Sequence, residues 1–572
     1  MKSRCRLILY RFFVLPAIVH VAKTSLLVDI KPATFRVAGR PAAGAPLQVP
    51  ELWQLNDEIV ARIAADEATK SVANYFTFDD RNPSSESSVA SSCYDTKWGK
   101  KDSAQCANVV GNFANPYFHE SDPTSIMWPI FQGRTCMPSN NTSGKRCAVG
   151  GYPEYAVKVT NVAQIQMAIN FARTANLRLI IKNTGHCYLV KSSEAGALSL
   201  WMHNMQDIDF FPDYEGLGYS GPAMKLAAGV TVRQVCEAAD KNNVTVTGAV
   251  SWSVGYAGGM IAGGGQNPLA GIYGMAADHV IAFNVVTADG RFRTVSQDSY
   301  PDLFWALRGG GGGTFAVVVS SFGTKKFFDE FLTWADAGVY SFFIMGNTPA
   351  PFLNMAHLFA PNHTLESYTE LVTPFFEYMH FNNIILTTPH KSVAHDSFYS
   401  AYQAAWGSNN FPIGLDNSLP ANRIVPRINF EEKFNETFAL IMEHVSSGKH
   451  FLGYHKVPAK YGNIDNAVSS AWRKCAMFLV TSSNKSLDHS TPEALAIAKR
   501  DLQENILQLW RDISPVSEGG GTYLNEASIM EPDWQESFYG GYYEKLSEIK
   551  RKWDPRDVFY ATTAVGSERW KS

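Results

Sequence analysis

Between Asn242 and Ala277 the chain carries no charged residue, yet it holds nine glycines together with Gln266, Asn267 and Pro268. A hydropathy scan reads such a stretch as a membrane span. Glycine costs about 1 kcal/mol and proline about 3 kcal/mol relative to alanine inside a helix. The run therefore cannot form the roughly 20-residue apolar helix that a bilayer requires. Backbone this free of side chains suits the close approach of something large and flat. The chain is expected to be globular. At 572 residues it exceeds one ordinary core, so two or three domains are expected. A net charge of −3 gives no footing for a nucleic acid or an anionic membrane as partner.

The first residues read as a signal peptide over 1–22. Lys2, Arg4 and Arg6 precede an apolar stretch from Phe12 to Ala22; a short uncleaved anchor is the alternative. Residues 23–147 form a disulfide-bearing N-terminal segment, with helical spacing from Glu51 to Ala65. Cys93, Cys106, Cys136 and Cys147 lie close together. Local bridges Cys93–Cys106 and Cys136–Cys147 are the simplest pairing, each adding about 2–4 kcal/mol, with other pairings left open. Cys187, Cys236 and Cys475 read as buried thiols. Glycosylation sequons at Asn140, Asn141, Asn243, Asn362, Asn435 and Asn484 fit a secreted glycoprotein.

From residue 148 the pattern becomes α/β. Pro153–Thr160 reads as a strand, Val162–Thr174 as an amphipathic helix and Leu177–Ile181 as a buried strand. Strands follow around Leu198, Leu226 and Val244. Val280–Thr287, the turn Asp289-Gly290 and Arg291–Val295 read as a hairpin. Asp302–Arg308 reads as a helix and Phe315–Phe322 as a strand. This region, 148–330, is expected to be one domain. Residues 331–515 mix amphipathic helices with strands such as Asn383–Thr387 and Ala476–Thr481, and read as a second domain. Residues 516–572 are compact and aromatic.

Nucleotide motifs narrow the ligand. Gly216, Gly218 and Gly221 match G-x-G-x-x-G, but Pro222 and a strand follow where a Rossmann site needs a helix start. The five glycines at 309–313 lie between a helix and a strand, the reverse order, and read as a turn. Two loops remain. The stretch 182–193 (KNTGHCYLVKSS) leaves a buried strand, and its backbone N–H groups suit a phosphate nest. The stretch 254–265 (VGYAGGMIAGGG) offers a second unhindered backbone. A flat ligand held between these loops is the physical reading.

At these residues the sequence resembles the berberine bridge enzyme-like FAD-linked oxidases, of the vanillyl-alcohol-oxidase or PCMH-type flavin-binding fold, in their secreted fungal form. LRLIIKNTGHCYLVKSSEAGALSLWMHNM, VGYAGGMIAGGGQNPLAGIYGMAADHVIAFNVVTADG, DLFWALRGGGGGTFAVVVSSF and KRKWDPRDVFY carry the likeness. It implies an α+β chain. A two-subdomain PCMH-type FAD-binding domain would precede a substrate domain of antiparallel sheet and helices. The C-terminal segment would return to the FAD domain and complete the active site. It also implies FAD joined covalently to His186. Asn183, Thr184, Gly185, Ser192 and Ser193 would surround the pyrophosphate. Gly258, Gly259, Gly264, Tyr273, Gly274, Asp278, Val280 and Asn525 would form the rest of the cofactor site. Some members attach the flavin a second time through a cysteine. Ser251 stands at that position here, so a single link is expected. Where members carry Asp or Ser after the histidine and then a Gly-Arg pair, this chain has Cys187, Val190 and Lys191.

Oxidation by hydride transfer needs a group to take the leaving proton. The resemblance assigns Tyr523 to that role. Strand alternation would put Tyr523 and Asn525 on one face and send Glu526 to the other, into a structural contact. Glu536, beside an aromatic cluster in WQESFYG, is the second candidate, as a general acid kept neutral by apolar surroundings. The leading expectation is an FAD-dependent oxidase acting on a small organic molecule, a fungal secondary metabolite or an alcohol, with molecular oxygen as acceptor. It is expected to be a monomer without metal. The alternative is a non-redox isomerase or cyclase on the same fold using a side-chain acid such as Glu536. A non-catalytic flavin- or carbohydrate-binding glycoprotein is a third reading.

Overall fold

The computed structural model describes residues 88–95, 100–128, 136–139, 147–323, 336–347, 351–381, 391–407, 419–456, 458, 462, 464–483 and 492–569. The expected signal peptide, the helical stretch Glu51–Ala65 and the strand Asn383–Thr387 lie outside them.

Three sheets organise the described residues. The first is parallel, with β1 (Tyr155–Lys158), β2 (Leu179–Lys182) and β3 (Leu198–Trp201) in the order β1-β3-β2. The helix Val162–Ala175 joins β1 to β2. Asn161 caps its start by accepting from Gln164 N–H, and Asn176 ends it in the left-handed region at φ 53°. Ile165, Ala168, Ile169 and Ala172 recur at helical spacing and are buried. They pack with Val157, Leu179, Leu198 and Leu200 of the sheet in one core. Truncating a buried isoleucine such as Ile165 to alanine would cost about 2–5 kcal/mol.

The second sheet is antiparallel, in the order β4-β5-β8-β6-β7. Its strands are β4 (Ile208–Gly216), β5 (Tyr219–Ala227), β6 (Val280–Thr287), β7 (Phe292–Ser296) and β8 (Ala316–Gly323). Gly216 and Gly218 of the G-x-G-x-x-G string lie in the β4–β5 hairpin, where Leu217 and Gly218 both have positive φ. The string thus spans a hairpin turn and the start of β5 and not a helix N-terminus. The strand expected around Val244 does not form. Val244 N–H instead donates to Ala239 O at the end of the helix Val232–Lys241.

The third sheet is antiparallel, in the order β10-β9-β12-β13-β11. Its strands are β9 (Tyr340–Asn347), β10 (Pro351–Phe359), β11 (Pro420–Pro426), β12 (Phe451–His455) and β13 (Cys475–Ser482). With helices such as Phe434–Ser446 it forms the expected second unit. The C-terminal segment then returns to the first. Phe559 bridges Leu179, and Lys550 Nζ donates to Thr314 O at 2.9 Å and Phe559 O at 2.6 Å. The N-terminal segment carries two disulfides, Cys93–Cys106 and Cys136–Cys147. Cys236 and Cys475 are buried free thiols, and Cys187 is half-buried. No described helix is long and apolar enough to cross a membrane.

Candidate active site

A cavity of about 370 Å³ opens where the three parts meet. Its first wall is the loop after β2, from Asn183 to Ser192. Gly185 has φ +91°, and a Cβ there would press on Ser125 O and Ile126 Cα at 3.2 and 3.3 Å. The position therefore needs glycine both for its backbone angle and for the neighbouring segment. That segment holds the loop from outside. Met127 N–H donates to Gly185 O at 3.3 Å, and Trp128 Nε1 donates to His186 O at 3.3 Å.

His186 shares a hydrogen bond of 2.7 Å between its Nε2 and Ser253 Oγ. Burial lowers its pKa to about 3, with His119 and Lys182 adding to the effect. The ring is therefore neutral. In the tautomer that donates from Nε2 to Ser253, Nδ1 keeps its lone pair.

Several polar atoms on this wall suit a bound anionic cofactor. Asn183 Oδ1, Lys191 Nζ and Ser192 Oγ are buried without a hydrogen-bond partner among the described residues, and all three residues line the cavity. Opposite, a Cβ on Gly259 would meet nothing within 4 Å and one on Gly258 only Val318 at 3.9 Å. These glycines keep open a space that a flat ring system would fill. Gly312 and Gly313 also line the cavity, so the five-glycine turn is part of the site.

Tyr523, Asn525 and Glu526 close the far end with Tyr188, Gln266, Phe342, Leu452 and Tyr454. Residues 523–526 form a turn, with Glu526 N–H donating to Tyr523 O at 3.1 Å. This corrects the strand-based expectation for Glu526. A turn does not alternate its side chains, so Glu526 lines the cavity alongside Tyr523 and Asn525. Asn525 Nδ2 donates to Tyr523 Oη at 3.0 Å and to Gly259 O at 3.2 Å. Burial, then Glu526, pushes the Tyr523 phenol far above its ordinary pKa.

Of the residues singled out from sequence, Asn183, Thr184, Gly185, His186, Ser192, Gly258, Gly259, Tyr523 and Asn525 line the cavity. Ser193, Gly264, Tyr273, Gly274, Asp278, Val280 and Glu536 are not on its wall. Ser193 Oγ donates to Gly151 O at 2.8 Å. Asp278 is engaged by Arg473 through two contacts of 2.6 Å and by Asn466 at 2.7 Å. Glu536 is exposed on the short helix Trp534–Tyr539, which turns Ser537, Phe538 and Tyr539 inward. It therefore lacks the apolar pocket that a neutral acid requires. Glu526, Lys191 and Ser251, which line the cavity, were not given site roles from sequence. The unusual composition of the 182–193 loop was the available signal for Lys191.

A parallel three-stranded unit and an antiparallel five-stranded unit meet at a glycine-walled cavity, with a second antiparallel domain and a returning C-terminus closing it. That arrangement defines a two-subdomain flavoprotein of the PCMH type. Residues 153–296 match the FAD binding domain family and residues 522–566 the berberine and berberine-like family. A VAO-type flavoprotein oxidase of Thermothelomyces thermophilus is 32% identical over 519 residues, covering 84% of this chain and 88% of its own. A bifunctional decalin synthase of Penicillium decumbens is 32% identical over 527 residues, covering 84% and 88%. The crystal structure of a VAO-type flavoprotein from Myceliophthora thermophila superposes with a TM-score of 0.78 at 29% identity, covering 92% of this chain and 98% of that one. The chain belongs to the berberine bridge enzyme-like, VAO-type FAD-linked oxidoreductases, and is an FAD-dependent enzyme.

Proposed function

We propose that this enzyme dehydrogenates a small hydroxylated organic molecule, a secondary metabolite or an alcohol, using FAD attached through His186 alone. The carrying observation is the neutral His186 ring, anchored through Nε2 on Ser253 at the wall of a cavity with unpartnered polar atoms. In the tautomer that donates from Nε2, its Nδ1 lone pair would be the nucleophile that attachment requires. Asn183, Lys191 and Ser192 would meet the phosphates or ring edge of the cofactor, and Gly258 and Gly259 its flat face. Ser251 offers no thiol for a second link. Bound FAD would supply a two-electron acceptor, reoxidised by molecular oxygen.

The protein supplies orientation and proton handling. Tyr523 Oη already accepts from Asn525 Nδ2, and the phenol is held protonated. Its own O–H is thus a donor that fixes a substrate oxygen rather than a base that strips it. Phe342, Leu452 and Tyr454 exclude water around that point. The two disulfides support secretion of the chain and an oxidising destination.

Acid precipitation tests the cofactor: yellow colour should stay with the wild-type pellet and leave with the supernatant for His186→Ala. Anaerobic mixing with alcohols tests the reaction: the flavin should bleach, and air should restore it with hydrogen peroxide formed. The similarity to a decalin synthase, together with the cavity carboxyl of Glu526, favours a second reading as a non-redox isomerase or cyclase. Product without bleaching would select that reading.

A further inference from the structure

Lys456 directly follows β12 and is 2% exposed. Its Nζ has no hydrogen-bond partner among the described residues. Four rings surround it, with centroids at 5.0 Å for Tyr454, 5.6 Å for Tyr340, 5.7 Å for Phe478 and 5.9 Å for Trp472. Aromatic faces attract a cation, but they cannot replace the water it leaves behind. A buried ammonium in such a cage needs a counter-charge. Glu526 is the carboxylate whose charge acts on it. Between the rings of the cage and the cavity stands Tyr454, which belongs to both. The Glu526 carboxylate accepts a hydrogen bond from Gln266 Nε2 at 3.1 Å.

We propose that Glu526 is the catalytic proton acceptor of this cavity and that Lys456, from its aromatic cage, is the positioning residue that keeps it ionised. The proposal rests on the dehydrogenase reading above. In the step itself the substrate O–H bond breaks and an O–H bond forms on Glu526. The negative charge passes from the carboxylate to the substrate oxygen, which closes to a carbonyl as the adjacent C–H leaves with its electron pair. Bound FAD, as proposed above, would supply the acceptor for that hydride, so electrons and protons balance.

Burial pushes the Glu526 carboxyl up and the Lys456 ammonium down, and each partner opposes the shift of the other. The remaining titratable groups felt by the couple are Tyr188, Tyr340, Tyr454 and Tyr523 around Glu526, and Cys475 beside Lys456. Burial raises all five, so they stay neutral through the working range. Against burial, the Lys456 charge and then the Gln266 hydrogen bond favour the ionised form of Glu526. Without the Lys456 charge, Glu526 protonates at a higher pH and stops accepting.

The test uses the secreted holoenzyme, with benzyl alcohol, cinnamyl alcohol and 1-phenylethanol as probes. Lys456→Met is expected to keep its flavin and move the acid limb of the anaerobic flavin-reduction rate upward by about one pH unit or more. Glu526→Gln is expected to lose that limb and reduce flavin at least tenfold more slowly. An infrared titration reads the protonated carboxyl band directly and needs no substrate. The band that Glu526→Gln removes should titrate at higher pH in Lys456→Met. Where Lys456→Met does not fold, Lys456→Gln serves the same comparison. Unmoved rate and infrared profiles in a folded, flavin-loaded Lys456 variant overturn the role of Lys456. A Glu526→Gln enzyme as fast as wild type overturns that of Glu526. Failure of the wild type to bleach with any probe would count against the dehydrogenase reading instead, and the infrared comparison would still decide the pairing.

Discussion

Gly263 and Asn525 meet so closely that a Cβ on Gly263 would overlap the Asn525 side-chain amide. The glycine leaves room for the amide that donates to Tyr523 Oη at 3.0 Å. Gly263→Ala should therefore act on Tyr523 through Asn525, without disturbing His186. Both Gly263→Ala and Asn525→Ala are expected to retain covalent flavin and to slow its anaerobic reduction about tenfold, the rate equivalent of one neutral hydrogen bond. Stopped-flow absorbance measures it, and wild-type rates in both variants would refute the linkage.

Ser253 holds His186 at 2.7 Å. If this contact fixes the tautomer that exposes Nδ1, then Ser253→Ala should lower the fraction of chains carrying covalent flavin, while noncovalent FAD still binds. Intact-mass spectrometry distinguishes the two populations. Full flavin attachment in Ser253→Ala would show that Ser253 does not set the tautomer.

Asp278 was assigned from sequence to the flavin region, and in the structure Arg473 and Asn466 engage it. Burial raises its pKa, but hydrogen bonds and charge from Arg473, with Asn466, outweigh that and hold it below the ordinary carboxylate value. Removing one member of a buried pair costs about 3–5 kcal/mol. Asp278→Ala should lower the Tm clearly, and any loss of flavin should follow unfolding. The depressed folded pKa fixes the sign. Its contribution is complete above the unfolded value of about 3.9 and disappears as pH falls through the folded one. The Tm difference between wild type and variant should therefore shrink below about pH 4.

Acid should also act through histidines. Burial lowers His119, His444 and His455 each to about 4. A depressed folded pKa means that stability is complete above the unfolded value of about 6.5 and is lost as pH falls toward 4. Each neutral buried ring should cost on the order of 2–3 kcal/mol by the end of that window. His444→Gln, at a site where the ring meets Thr481 and Trp510, should flatten the fall of Tm between pH 6.5 and 4. A variant whose Tm falls as steeply as wild type would show that His444 does not titrate with unfolding.

Much of the cavity wall proposed to hold the flavin was legible because its determinants are local. The loop 182–193 follows a recognisable buried strand, and Gly258 and Gly259 stand out by composition. The three sheets were only partly legible. The β6–β7 hairpin carries its own alternation and turn, whereas the strand expected at Val244 gave way to the tail of a helix. The substrate end was not legible for a different reason. Glu526 was judged by strand alternation, and its turn depends on a hydrogen bond to Tyr523 that periodicity does not encode. The cage around Lys456 joins β9, β12, β13 and the helix Ser470–Lys474, so its members are scattered along the chain. Likewise, nothing near Asp278 in sequence announces Arg473.

The segment before the first sheet bears directly on the loop that carries His186. Trp128 Nε1 donates to His186 O, its ring lies 4.2 Å from that of Tyr188, and both residues line the cavity. Lys182 Nζ reaches back to His119 O at 3.2 Å. The loop carrying His186 is thus held between β2 and residues 119–128. Trp128→Ala would remove one hydrogen bond and a large aromatic contact, at a combined cost of about 3–5 kcal/mol for a buried tryptophan. Because Trp128 is at the cavity wall, the damage should concentrate on the loop. Hydrogen exchange should rise across residues 183–192 and stay unchanged in β9–β13, and covalent flavin should fall. Trp128→Phe keeps the ring and loses the N–H, so it should recover most of the protection but not the bond to His186 O. Uniform loss of protection across all three sheets would mean that Trp128 supports the whole fold rather than this loop.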